Sequence, residues 1–156
     1  MIKLIRVDHR LIHGQVAFSW TKVLDVDCIL IASDALMNDE LRMSAMRMAK
    51  PNSVKLVMKN MKDSIEALNS GVTDKYKLFI LVESIEEAHT LISNCPQIKS
   101  LNLGGTKKME DRRQIAKAIF VNEKDEELLR DLDQKGVELE VRLVPTDTQQ
   151  NAISLL

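Results

Sequence analysis

A chain of 156 residues is long enough for one domain with a sizeable core, and residues 1–156 are read as that single domain. With 45% apolar and 29% charged residues, the composition is that of an ordinary globular protein. A net charge of -1 supplies no bulk field for nucleic acid or an anionic membrane surface.

Short β-type runs alternate with helix-type patterns along the chain. "IKLIRV" (2–7) predicts a strand, and Val16, Trp20, Val23 and Leu24 recur at helical spacing from Gly14 onward. "DCILIAS" (27–33) is nearly all apolar, as for a strand buried on both faces. Leu41, Ala45, Met48 and Ala49 mark a second helix that Pro51 ends. Met43 and Met46 share another face of it, where methionine suits core filling. "VKLVMK" (54–59) predicts a third strand; Met61, Ile65 and Leu68 mark the next helix, closed by Gly71. "KLFILVE" (77–83) is a fourth strand. Ser84 with Glu87 three residues on forms a capping box that opens a helix through Ile85, Ala88, Leu91 and Ile92.

"SLNLGG" (100–105) is a short fifth strand, followed by a polar, irregular stretch over 106–116. "AIFV" (118–121) is a candidate sixth strand, and Leu128, Leu129 and Leu132 mark a helix that Gly136 stops. "VELEVRLVP" (137–145) alternates only in part, which predicts an edge or antiparallel strand, and Thr146 is a candidate cap for a short terminal helix. The fold class that follows is α/β: an open, mostly parallel twisted sheet with helices on both faces and one antiparallel edge strand. Cys28 and Cys95 form no CxxC pair and no Cys/His cluster of zinc spacing. They are expected to be reduced, in a cytoplasmic protein, with no metal and no other cofactor. The N-terminal stretch is too short and charged for a signal peptide, and no apolar run suffices to insert in a membrane.

Ligands of such sheets bind beyond the carboxyl ends of the strands, which directs attention to "RVDHRLIHGQV" (6–16). A strand ends near Val7 and a helix begins near Gly14, whose first N–H groups favour an anion. Glycine at 14 permits close approach of the backbone. His13 stands just before this helix start, and Arg10 carries a planar fork suited to phosphate oxygens. Asp8 can pair with Arg10 or hold a histidine tautomer. A histidine, an anion cradle and an arginine are what a phosphohistidine needs; a solvated βα loop has the same composition. His9 lies farther from the helix start and reads as an exposed loop residue, and His89 as a surface residue of its helix. Gly105, Thr106 and Lys107 can form a second wall, as can Asp34, although Asp34 equally suits a helix cap.

"VDHRLIHGQVAFSW" resembles the signature of the IIB subunits of the mannose/fructose/sorbose class of sugar phosphotransferase systems. The central "DxRLIHGQV" (8–16) carries the resemblance, and the length, the strand order and "LNLGGT" (101–106) extend it over the whole chain. The resemblance implies a phosphocarrier. Such a subunit takes a phosphoryl group from a phosphohistidine of a IIA partner and passes it to a sugar imported by membrane subunits IIC and IID. The phosphorylated histidine then matches His13, through Nδ1, and the phosphate ligand matches Arg10. Gly14 and Gln15 match positions whose amides face the phosphoryl oxygens, and Asp8 matches an acid that orients Arg10. Position 9 varies in that family, so His9 receives no role. A stand-alone IIB held at the membrane through IIC and IID is the implied form. Two other readings use the same crevice: a non-covalent regulator that binds a sugar phosphate or another anion, and a phosphatase-like hydrolase with Asp34 as the water-activating acid.

Overall fold

A computed structural model of the chain describes residues 1–156. Nine strands and five helices follow one another: β1 (Ile2–Asp8), α1 (Gly14–Val23), β2 (Cys28–Ala32), α2 (Glu40–Ala49), β3 (Lys55–Lys59), α3 (Met61–Asn69), β4 (Leu78–Val82), α4 (Ile85–Asn94), β5 (Ser100–Gly105), β6 (Arg113–Ala116), β7 (Ile119–Val121), α5 (Glu123–Gln134), β8 (Glu138–Val141) and β9 (Gln150–Asn151). One seven-stranded sheet has the order β3-β2-β4-β1-β5-β8-β9. Every neighbouring pair is parallel except β8 and β9.

Alternate residues of the central strands enter two cores. Ile5, Val7, Leu30, Ile80 and Val82 join the larger, with Ala88 and Leu91 of α4 and Leu129 and Leu132 of α5. Leu4, Ile29, Ile31, Phe79 and Leu81 join the smaller, with Trp20 of α1 and Met43 and Met46 of α2. Helices therefore cover both faces, and this is why β2 and β4 read as unbroken apolar runs. The α/β class and the mostly parallel sheet agree with the sequence reading.

Several details differ. The 106–116 stretch is not wholly irregular: Arg113–Ala116 pairs antiparallel with β7 as a hairpin outside the main sheet, so "AIFV" adds no strand there. The segment 137–145 is neither an edge nor antiparallel in its main pairing. β8 runs parallel to β5, and the antiparallel edge is β9. Thr146 caps no helix; the chain ends in a 3-10 turn, Ile153–Leu155, whose N-cap is Ala152. The Ser84 box is half formed. Ser84 accepts the Glu87 N–H, but the Glu87 carboxylate reaches past Ser84 to the Glu83 N–H. On α2, Met43 and Met46 are buried, whereas Leu41, Ala45, Met48 and Ala49 face solvent. The helix has two apolar stripes, and the one that meets Trp20 and Phe79 in the smaller core is the buried one.

β1 is the central strand between β4 and β5, and its neighbour β5 approaches it closely. The Arg6 side chain crosses Gly104, where a Cβ would overlap the guanidinium. Gly104→Ala is therefore expected to lower stability by about 1–3 kcal/mol in urea unfolding, the usual cost of overpacking. An unchanged midpoint would show that Arg6 can leave its slot freely.

Candidate functional site

The loop between β1 and α1 is held in one shape by buried groups. Leu11 and Ile12 drop into the smaller core. Leu11 does so with φ +57°, a left-handed backbone that a branched side chain seldom adopts, and its N–H closes a turn onto the Asp8 carbonyl. The β1–β5 register slips between Val7 and Asp8, a bulge that re-aims Asp8 beside Gly105.

Asp8 is the centre of the loop. Its Oδ1 accepts the Arg10 backbone N–H at 3.0 Å. Its Oδ2 accepts from Arg6 Nη2 at 3.2 Å and from His13 Nε2 at 2.9 Å. A carboxylate can only accept here, so Nε2 carries the ring proton and Nδ1 keeps its lone pair. Of the two roles expected of Asp8, toward Arg10 and toward a histidine, the carboxylate reaches Arg10 through its backbone N–H and not its guanidinium, and reaches His13 through Nε2. The His13 side chain is 15% exposed, and Nδ1 makes no hydrogen bond. The Arg10 guanidinium is exposed and makes no hydrogen bond or ion pair, which leaves it free to close on an anion.

The start of α1 differs from the other helix starts. Asp39, Asn60, Ser84 and Asn122 cap the N-termini of α2 to α5 with their side chains. His13, the N-cap of α1, makes no such bond. The N–H groups of Gly14, Gln15 and Val16 have no partner within the protein. Three unpaired amides at the positive end of a helix dipole beside a nucleophilic ring nitrogen suit a tetrahedral oxyanion. Gly14 itself has φ +49°, with open space where a Cβ would be. Its backbone angle is what requires glycine there, beyond the close approach expected from the sequence.

Gly105 and Thr106 lie alongside, but in different roles. Gly105 accepts the His9 N–H at 3.1 Å. The buried Thr106 hydroxyl donates to the Phe120 carbonyl and accepts the Phe120 N–H, which fastens the β6–β7 hairpin. Lys107 borders a cavity of about 500 Å³ with His9, Arg42, Glu83, Glu87 and Arg112. Burial raises the Glu87 carboxyl above the usual carboxylate range, and the Asp125 carboxyl on the same cavity likewise. His9 is half-buried, and so is not the exposed loop residue expected. Asp34 is engaged elsewhere: its Oδ1 accepts the Met61 N–H at 2.8 Å, the first amide of α3. The hydrolase reading placed that acid next to His13; in the structure it serves a helix start. His89 Nε2 donates at 2.7 Å to Asp131 Oδ2 on α5, a contact between helices.

Two arginines of the site escaped the sequence reading. Arg42 of α2 braces the loop, with Nη2 donating to the His9 carbonyl at 2.9 Å and Nη1 to Glu83 Oε2 at 2.8 Å. Arg6 is buried beneath Asp8, its guanidinium 5.6 Å from the Trp20 ring centre. Burial pushes the Arg6 guanidinium below its ordinary value, while Asp8 and Glu140 pull it back up. A signal for Arg6 was present: an arginine inside an apolar strand run, two residues before an aspartate on the same strand face.

A family model described as the PTS (phosphotransferase) system sorbose subfamily IIB component matches residues 2–156. The fructose-specific EIIB component of Bacillus subtilis (strain 168) is 33% identical over 155 residues, which are 99% of this chain and 95% of that protein. The mannose-specific EIIAB component of Escherichia coli (strain K12) is 32% identical over 156 residues, 100% of this chain and 48% of that protein. The crystal structure of the IIBSor domain of the sorbose permease from Klebsiella pneumoniae superimposes with a TM-score of 0.95 at 31% identity, covering 99% of this chain and 95% of that one.

Asp8→Asn offers one acceptor oxygen where three donors converge. Its expected effects are a loss of about 3–5 kcal/mol in urea unfolding, as for a buried ion pair that loses one member, and a gain of the Nδ1–H tautomer of His13. Ring ¹⁵N shifts measure the second; unchanged shifts would mean that Asp8 does not set the tautomer.

Proposed function

The chain belongs to the sorbose-subfamily IIB components of the sugar phosphotransferase system, and from that membership we propose that His13 Nδ1 is its phosphoryl acceptor. As a IIB component it is a phosphotransferase component of sugar transport. The observation that carries the proposal is the 2.9 Å contact between Asp8 Oδ2 and His13 Nε2, which leaves Nδ1 as the nucleophile.

The donor is a phosphohistidine of a IIA protein. The His13 Nδ1 lone pair attacks phosphorus, and the donor P–N bond breaks with its electron pair returning to the donor imidazole. The His13 ring keeps the Nε2 proton and gains positive character, which the Asp8 carboxylate balances. The amides of Gly14, Gln15 and Val16 and the Arg10 guanidinium meet the phosphoryl oxygens, where fixed donors count most. In the second step a sugar hydroxyl attacks phosphorus and gives up its proton to water, while the Nδ1–P bond breaks with its electron pair returning to His13, which leaves as the neutral Nε2–H imidazole. The sugar is brought by membrane subunits IIC and IID, and this chain meets them from the cytoplasm. No helix of this chain is long and apolar enough to cross a membrane. Relatives are named for sorbose, fructose, mannose and N-acetylgalactosamine, and the acceptor of this chain is a sugar or amino sugar of that range. Phe18, one turn beyond Gly14 and 47% exposed, gives a protein partner an apolar contact beside the loop.

Incubation with a phosphorylated IIA protein should place one acid-labile, base-stable phosphate on His13. Absence of label, or label that persists in His13→Ala, defeats the proposal. Arg10→Ala should slow acceptance by about 100-fold, the usual loss of one oxyanion donor. Its unfolding free energy should move by less than about 0.5 kcal/mol, as for an exposed side chain without partners. Equal loss of stability and rate would instead make Arg10 a structural residue.

A further inference from the structure

A continuous line of hydrogen bonds runs from the sheet interior to the phosphoryl acceptor. Glu140 of β8 accepts from Asn102 Nδ2 at 3.1 Å. The same Nδ2 donates to the Arg142 carbonyl at 3.2 Å, which fixes the amide so that Oδ1 faces β1. Asn102 Oδ1 then accepts from Arg6 Nη1 at 2.8 Å. Nη1 also donates to the Arg142 carbonyl at 3.1 Å, and Nη2 to Asp8 Oδ2 at 3.2 Å. The last contact is Asp8 to His13 at 2.9 Å. Arg6 is 1% exposed, and its guanidinium lies between Trp20 and the backbone of Gly104.

We propose that Arg6 is a positioning residue for phosphoryl transfer, acting through Asp8 to hold His13 as the Nε2–H tautomer. The inference rests on His13 as the phosphoryl acceptor. It assigns Arg6 no contact with phosphate. A carboxylate joined to Cβ by one rotatable bond has several directions open to it. The guanidinium is planar and rigid, and three acceptors hold its plane. That plane presents Nη2 at one place, so Oδ2 has one place in which to accept it. Only then does Oδ2 face the Nε2 proton. Asp8 without Arg6 would be a buried carboxylate free to turn toward the loop amides, and the ring could then carry its proton on Nδ1, where it cannot attack phosphorus.

Arg6→Met keeps much of the side-chain volume and removes both the charge and the fork. Arg6→Lys keeps the charge, but a single ammonium cannot reach Asn102 and Asp8 as the fork does. Two quantities are read on each variant: the ring ¹⁵N shifts of His13 in the unphosphorylated protein, and the rate of phosphoryl acceptance from a phosphorylated IIA protein. In Arg6→Met, His13 should become a mixture of tautomers, and the rate should fall by about 10–100-fold, as when a group that orients a reacting residue is lost. Arg6→Lys should fall between it and the wild type in both. Wild-type shifts and rate in a folded Arg6→Met overturn the proposal, and so does a rate loss with unchanged shifts. Should Arg6→Met fail to fold, Arg6→Lys decides by the same two readings; failure of both to fold makes Arg6 structural and also overturns it. Absence of label on wild-type His13 would strike the parent reading instead, while the tautomer shift tests Arg6 without any phosphate.

Discussion

One carboxylate organises the carboxyl end of the central strand and the loop that follows it. Asp8 sits at the end of the central strand, buried, with an arginine below it, a histidine beside it and a loop amide above. Each donor would be costly to leave unpaired, and the pair with Arg6 most of all: losing one member of a buried ion pair typically costs about 3–5 kcal/mol. The loop shape, the ring tautomer and the glycine at 104 all follow from keeping that group satisfied. The left-handed Leu11 is part of the same constraint, because a strained backbone survives only where its surroundings leave no other choice.

The helices show where polarity has been spent and where it has been kept. Four starts are closed by their own side chains. The fifth, at α1, leaves its amides open and lies at the carboxyl edge of the sheet, beside the central strand. A helix tied down at this end by a cap would be more stable and would have nothing to offer an oxyanion. On the proposed reading that open end has a purpose, because a carrier must hold a phosphoryl group firmly enough to receive it and loosely enough to release it.

Much of this was legible in the chain of letters, and the failures have physical causes. The strand and helix alternation came through because buried parallel strands are almost wholly apolar. His13, Arg10 and Gly14 stood out because a strand end and a helix start bracket them; Gln15 entered only through the family resemblance. The C-terminal strand misled because Glu140 interrupts the apolar run of β8 and mimics a solvent-facing position. It is in fact buried and accepts from Asn102 and Arg142. Helix α2 misled because it has two apolar stripes of similar weight, and only the tertiary fit with Trp20 and Phe79 chooses between them. Arg6 escaped although Asp8, two residues on, gave a local signal; its other partners lie on β5 and in the segment after β8, 96 and 136 residues away in sequence, where no local pattern announces them.

Trp20 is the chain's single tryptophan. One face meets the Arg6 guanidinium at 5.6 Å, Arg142 stands over the ring at 5.0 Å, and Nε1 donates to the Leu143 carbonyl at 3.0 Å. Indole emission is sensitive to nearby charge, so this ring is a built-in optical reporter placed one contact from Arg6 and two from Asp8. Its fluorescence follows the polar interior of the site rather than the surface, with no other indole to dilute the signal. The residue that gives the smaller core its largest side chain thus also sets an indole against the buried arginine that holds Asp8.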